Sequence, residues 1–394
     1  MTENLRLTTD EDREAFYQLY QYAFNRQDTP EHRAFFMDRY QHGWIYGLHD
    51  QTKLVSGLYS LPFQINFHGV NYRMNGIGDV MSAPEYSGRG GAGKLLTAAL
   101  NEMATNHVEL SYLAPFSYAY YRKFGYEQTF NHTIQTIAAK DLPRIKPSDF
   151  SGTITRYGND GLTLVNDFYA AQPANQRGGL IRPDWWLNYL QLKHDWSVAI
   201  YRNATNNIEG YLIYDRQATN FAIQEWSTST PVAFERLANF VTKHGTTFET
   251  FSYDGPSDGH GLDLLADPYP LTVKTVPYMM ARIVLLHDFI KKYPFTGTDL
   301  APIRLAVTDD TLAQNQGIWD LRLIAGKVTL NRLTTDLTKP SALQLSIQQL
   351  TKALFGTRSL TSAWQHGQLT GDLSAAQRLD AVLVHEKPAL IDYF

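Results

Sequence analysis

Cysteine is absent from this 394-residue chain. That excludes disulfides, thiolate metal sites and a cysteine nucleophile, and it suits a cytoplasmic protein. No apolar run approaches ~18 residues, the length a membrane-spanning helix needs. The N-terminal Met-Thr-Glu-Asn-Leu-Arg lacks the apolar core of a signal peptide. An excess of positive charge is missing as well. Thirty-five Lys and Arg stand against 39 Asp and Glu, for a net charge of −4, and with no long basic run a nucleic-acid partner is disfavoured on electrostatic grounds. His32, His42 and His49 match no metal-ligand spacing. What remains is a soluble, cytoplasmic chain, 43% apolar and long enough for two or three domains.

The stretch from Val80 to Leu96 organises the rest. A β-type run ends at Ser82, Pro84 breaks it, and a loop follows with glycines at 88, 90, 91 and 93. Next comes a helix pattern with Leu95, Leu96, Ala99, Leu100 and Met103 on one face. Strand, glycine loop and helix start present a fan of backbone N–H groups to an anion, the helix dipole adds about half a positive charge, and Arg89 and Lys94 supply whole charges. The stretch reads as a phosphate-binding loop.

Its ligand can be narrowed. Gly88, Gly90 and Gly93 satisfy G-x-G-x-x-G, and Gly88 to Lys94 reads G-x-x-x-x-G-K, both weak signals alone. A nucleoside triphosphate reading needs Ser or Thr after the lysine, and position 95 is Leu. A dinucleotide reading needs the first strand of a parallel βαβ unit. Instead Leu61, Phe63, Ile65 and Phe67 alternate, His68-Gly69 turns the chain, and Val70, Tyr72 and Met74 alternate again, which is a hairpin. An antiparallel sheet feeding a phosphate loop suits the pyrophosphate of coenzyme A.

Elsewhere, Thr9 with Asp12 caps a first helix, and Val108 to Leu113 reads as a strand. Asp141 to Asp149, polar and carrying two prolines, reads as a domain boundary. Beyond it, helices at Leu162–Ala171 and Pro183–Leu192 precede strand-like runs at Ser197–Tyr201, Ile208–Asp215 and Phe221–Trp226. A helix from Pro231 and a strand at Thr247–Ser252 follow. That order repeats the first half without a glycine loop, since Glu225-Trp-Ser-Thr-Ser-Thr-Pro231 stands in its place. Asp254 to Asp263 fails the calcium-loop spacing and reads as a surface turn. Ile283 to Lys292 reads as a helix leading into a third α+β unit, with strands at Ile303–Val307, Trp319–Ile324 and Val328–Asn331. Helices follow near Ser341–Leu350, Ser359–Gln365 and Ser374–Val384.

Ser87-Gly88-Arg89-Gly90-Gly91-Ala92 resembles the pyrophosphate loop of the GNAT acyl-CoA N-acyltransferases, and Tyr121-Arg-Lys-Phe-Gly-Tyr126 is similar to their second signature element. Ser87 stands where that family carries Arg or Gln, leaving Arg89 or Lys94 as the cation at hand. The three-part layout further resembles the Eis family of N-acetyltransferases. The resemblance implies an α+β fold of two tandem GNAT domains, residues 1–146 and a degenerate 147–285, with a sterol-carrier-like domain at 286–394. It implies acetyl-CoA as acyl donor, no metal, and a homo-oligomer, since mycobacterial members are hexamers. Tyr126 is then the general acid and the C-terminal carboxylate of Phe394 the general base. The cofactor contacts fall on Val80, Met81, Ser82, Ser87, Gly88, Arg89, Gly90, Gly91, Ala92, Gly93 and Tyr121. The amides of pantetheine would pair with the free edge of Val80–Ser82 as an added strand would.

The chemistry suits those roles. An acceptor amine with a pKa near ~10.4 must lose a proton before it attacks, and a carboxylate in an apolar pocket can take it. The oxyanion needs a donor such as the Met81 N–H, and a phenol can protonate the departing thiolate. No residue favours a covalent acyl-enzyme, so direct transfer is expected, to a primary amine of an aminoglycoside- or polyamine-like molecule or to a lysine. Asp79 and Glu85 are alternative bases, with solvated surface roles expected for both. Two other readings are an acyl-CoA-sensing or lipid-carrier protein acting through the last domain, and aminoacyl transfer, which the lack of a basic patch disfavours.

Overall fold

Thr9 accepts a hydrogen bond from the Asp12 N–H and Asp12 caps back onto the Thr9 N–H, so the capping box starts α1 (Asp10–Ala23), which buries Phe16, Tyr17, Leu19 and Tyr20. This is a computed structural model, and it describes residues 5–256 and 265–394. Thr29 caps α2 (Pro30–Gln41) in the same manner, with proline at the first turn where its missing N–H costs nothing. An antiparallel meander follows, β1 (Trp44–Asp50), β2 (Lys53–Phe67) and β3 (Val70–Ser82). Its long hairpin turns at His68 and Gly69, whose φ values of 50° and 85° suit the twist of the flanking strands. The five apolar positions expected of the next helix are all buried in α3 (Gly91–Thr105). Then come β4 (Leu110–Leu113), α4 (Tyr118–Arg122) and β5 (Glu127–Gln128).

Next in order are β6 (Asn131–Ala138), β7 (Thr153–Tyr157), α5 (Gly161–Ala171), β8 (Arg177–Ile181), α6 (Asp184–Lys193) and β9 (Ser197–Arg202). They are followed by β10 (Ile208–Gln217), β11 (Asn220–Thr228), α7 (Pro231–Thr242), β12 (Thr250–Gly255), β13 (Thr272–Pro277) and β14 (Met280–Ile283). Two compact units result, one from residues 1–130, 278–388 and 393–394, the other from 131–277 and 389–392. In the first, the sheet runs β1-β2-β3-β4-β14-β5; in the second, β13-β6-β12-β11-β10-β9-β7. Thus β14 lies antiparallel to β4, Met280 opposite Leu113 and Ile283 opposite Leu110. β6 lies antiparallel to β12, Ala138 opposite Thr250. The first sheet is completed by β14, which follows the crossing at 277/278, while all the strands of the second come from residues 131–277. The apolar segment expected as one helix from Ile283 ends a strand instead, and α8 (Leu286–Lys292) starts three residues later.

The remainder of the first unit carries a separate small sheet, β17-β16-β15-β18-β19, built from β15 (Leu300–Thr308), β16 (Gly317–Ile324), β17 (Lys327–Thr334), β18 (Leu343–Ser346) and β19 (Thr370–Gly371). Three helices accompany it, α9 (Ile347–Leu354), α10 (Leu360–Gln365) and α11 (Leu373–Asp380). The expected helix at Ser341–Leu350 is corrected here. Leu343 and Leu345 alternate with polar neighbours in a strand parallel to β15, and Ser346 with Gln349 forms the capping box that opens α9. Most of the Asp254–Asp263 turn lies outside the described residues. No helix among the described residues is long and apolar enough to cross a membrane.

Candidate active site

The glycine loop enters α3 through a short 3₁₀ turn, Pro84–Tyr86. Gly88 and Gly90 have φ of 78° and 84° with open space where a Cβ would stand, so it is backbone conformation and not crowding that calls for glycine. Gly90 is the N-cap of α3, and no side chain accepts from the helix's first amides. Residues 87 to 90 are exposed, and the Arg89 guanidinium lies 4.8 Å over the Tyr86 ring. Gly91 packs close to Ser56, whose hydroxyl bonds Ser82 at 2.8 Å, while Gly93 sits against Phe124. Ala92 lies between them in the first turn of α3. The start of α7 in the second unit is built differently. Thr230 accepts from the Ala233 N–H at 3.2 Å and Pro231 has no N–H to offer. One helix start is open to an anion and the other is already satisfied.

Beside the loop, β3 leaves β4 and bulges against β2. Its register with β2 slips between Gly57↔Met81 and Tyr59↔Gly78, which is a bulge carrying Asp79 and Val80, and Asp79 takes a φ of 46°. Its parallel pairing with β4 covers Met74–Ile77 against Leu110–Leu113 and stops there. Gly78 to Ser82, including Val80 and Met81, therefore runs on without β4. Asp79 is not the solvated carboxylate expected. It is paired with Arg39, itself buried and 4.4 Å over the Tyr59 ring. Glu85 pairs with Lys53 at the exposed surface.

Tyr126 is fully buried, in the same apolar cluster as Ile77, Leu96 and Leu100. Its hydroxyl lies 2.7 Å from Ser111 Oγ, and the Ser111 hydroxyl donates to the Asn75 carbonyl at 2.9 Å, which leaves the phenol as donor to Ser111. Burial pushes the Tyr126 pKa up, while the Ser111 contact and the positive charge of Arg282 pull against that rise. Arg282 is also fully buried, held by Asp309 at 2.6 Å and by the Phe124 carbonyl. The Tyr121 ring meets Tyr126 edge-on, with centroids 6.2 Å apart.

Phe394 is buried too. Its ring lies 5.4 Å from that of Phe63 and directly over Gly76. Successive residues of a strand point to opposite faces, so Gly76 and Ile77 assign Phe394 and Tyr126 to opposite faces of β3. Phe394 meets the strand at Gly76, and Tyr126 reaches the neighbouring Asn75 through Ser111, within the β3–β4 pairing.

Ser111, Asn75 and Arg282 escaped the sequence reading. Only Arg282 left a trace there, as one charge inside the apolar run Met280-Ala-Arg-Ile. The second unit holds another buried charge group unread from sequence. Asp392 accepts from Arg182 Nε at 2.9 Å and Trp186 Nε1 at 2.8 Å, and Arg182 also reaches Glu225 at 2.8 Å. His132 lies 2.8 Å from both Asp254 and the Leu390 carbonyl. No group of three or more His, Asp or Glu among the described residues could hold a metal ion.

Family models match in three places: an acetyltransferase (GNAT) domain over residues 4–129, a second acetyltransferase (GNAT) domain over 178–283, and a sterol carrier protein domain over 286–391. Among solved structures, the chain is similar to an Enterococcus faecalis V583 conserved protein of unknown function described as "Probable N-Acyltransferase". Identity is 38%, the TM-score 0.92 and coverage 98% of each chain. It is also similar to a GCN5-related N-acetyltransferase from Anabaena variabilis (22% identity, TM-score 0.85, 98% of each chain) and to Eis1 from Mycobacterium abscessus (17%, 0.80, 99% of each chain). These last two share the fold. No match was found among curated proteins.

Proposed function

The chain belongs to the GNAT N-acyltransferases, in the Eis-like arrangement of two GNAT domains followed by a sterol-carrier domain, and from that premise we propose that it transfers an acetyl group from acetyl-CoA directly to a primary amine. The acceptor is a small aminoglycoside- or polyamine-like molecule or a lysine side chain. The observation that carries this is the uncapped start of α3 beside the end of β3 that runs on without β4, with a buried phenol bonded to Ser111 of β4.

In this reading the amides of residues 88 to 93, with Ser87 and Arg89, hold the diphosphate. The edge of Val80, Met81 and Ser82 pairs with the pantetheine amides, and Tyr121 packs beside the thioester. The amine nitrogen attacks the acetyl carbon, and its proton passes to the Phe394 carboxylate. The Met81 N–H donates to the oxyanion, and the C–S bond then breaks. Tyr126 gives its proton to the thiolate. A thiol ionises near ~8.5 in water, below a phenol, yet the site that raises the phenol raises the thiol as well by withholding water from its anion. Arg282 favours the phenolate form left behind. In sequence terms we read three segments, 1–146, 147–285 and 286–394, with strands exchanged between the first two, and we place the protein in the cytoplasm.

Release of free CoA thiol from acetyl-CoA, followed with polyamines, aminoglycosides and lysine peptides, tests the reading. Release with an amine and its near-loss in Tyr126→Phe support it. No release with any amine leaves the sensor or carrier reading in its place.

A further inference from the structure

The second unit contains a cavity of about 410 Å³. Ile223 and Trp226 of β11, Phe234 and Val241 of α7, Phe251 of β12 and Ile137 of β6 form much of its wall. No Asp, Glu, Lys, Arg or His lines it among the described residues. Of its polar lining groups, the Thr242 hydroxyl donates to the Asn239 carbonyl at 3.0 Å and Ser252 Oγ accepts from Asn220 Nδ2 at 2.9 Å. The Trp226 indole N–H is a buried donor left without a partner among the described residues, and the rest of the lining is largely apolar, which favours the transfer of hydrocarbon out of water.

The position of the cavity carries the argument further. β11 pairs with β12 in parallel over Asn220–Ile223 against Thr250–Tyr253, four pairs, as β3 pairs with β4 over Met74–Ile77. Beyond the last pair β11 runs on to Thr228 without β12, still paired with β10 on its other side. Ile223, Trp226 and Thr228, at and beyond that last pair, line the cavity. It therefore occupies in the second unit the place that the gap beside Gly78–Ser82 occupies in the first. What the second copy lacks is the anion end. Thr230 caps α7, Pro231 withholds an amide, and no cation lines the wall.

We propose that this cavity binds the hydrocarbon chain of an uncharged medium-chain lipid, and that it does not take an acyl-CoA. The second GNAT domain keeps the gap of its fold and lines it mainly with Ile, Phe, Trp and Leu. The size fits, since small-molecule sites in proteins span about 300–1,000 Å³.

The full chain crystallised with 10-bromodecan-1-ol tests this by the anomalous signal of bromine. A bromine peak between β11 and α7 is expected. Ala238→Trp, which fills the cavity from α7, should weaken 10-bromodecan-1-ol binding at least about tenfold in calorimetry, an occluded site losing ~1.4 kcal/mol or more, while CoA thiol release stays unchanged. Decanoyl-CoA, soaked into crystals grown without the bromoalcohol, should leave the cavity empty. Bromine only in the sterol-carrier domain or only beside β3 overturns the proposal. So does undiminished binding by a folded Ala238→Trp protein, or decanoyl-CoA seated between β11 and α7. Should that variant fail to fold, the bromine position in the unaltered chain decides alone.

Discussion

The phenyl ring of Phe394 fills the space above Gly76 that any side chain there would need. Gly76 is buried in the middle of β3, with a φ outside the left-handed region, so its requirement is one of room and not of backbone freedom. Gly76→Ala would push the ring off the strand. Turnover should fall by about 10²-fold, the effect of a ~1 Å misplacement of a reacting group, with CoA affinity retained. Steady-state kinetics beside a CoA titration separates the two.

Tyr126→Phe removes the proposed proton donor and leaves the Ser111 to Asn75 hydrogen bond in place. Loss of an acid of this kind costs about 10²–10⁴ in rate. Burial raises the phenol, so it stays protonated below pH 10 and the rate of the unaltered enzyme should show no alkaline fall before that point. A pH–rate profile checks this, and an alkaline limb beginning near pH 8 would remove Tyr126 from the role.

Stability should decline on the same side of the scale. Burial lifts Tyr40 to about 12 and raises Tyr72 and Tyr112 as well. A tyrosine whose folded pKa exceeds its unfolded value of ~10 contributes fully below that pH. Above it the unfolded chain ionises first, so the contribution is lost as pH climbs toward the folded value. Denaturant midpoints should hold to about pH 10 and drop steeply beyond it.

Gly90 sits at φ 84° as the N-cap of α3. An alanine there takes on about 1–2 kcal/mol of left-handed strain and tilts the amides proposed to hold the diphosphate. CoA should bind about tenfold more weakly, with a melt lowered by only a few degrees, roughly 2–4 °C per kcal/mol. Calorimetric titration checks it.

Asp392 and Glu225 share the buried guanidinium of Arg182 in the second unit. Asp392→Ala leaves that charge short of one partner in an apolar setting, and stability should fall by ~3–5 kcal/mol. Chemical denaturation measures the loss.

Much of the first sheet was legible because its signals are short-range. The alternation either side of His68-Gly69 names the hairpin, the Thr9 to Asp12 spacing names a cap, and the apolar face of α3 follows from five residues. The strand, glycine loop and helix start from Val80 onward were readable for the same reason. Arg282 was not, because its meaning depends on Asp309 and on the Phe124 carbonyl, neither adjacent in sequence. Asp79 misled because a lone acid near a loop looks solvated, and only the fold supplies Arg39. β18 was read as part of a helix because Leu343, Leu345 and Leu350 suit either period over so short a run. The pairings of β6 and β14 left no local mark at all.

Those pairings govern how the chain must be made. β4 ends at Leu113, yet the strand beside it begins at Met280, so during synthesis its edge stands bare until most of the protein has left the ribosome. Contacts so distant in sequence form slowly, and an uncovered strand edge invites a neighbouring chain to pair with it. An excised N-terminal half should therefore precipitate, and biogenesis of the whole enzyme should lean on chaperones that shield that edge.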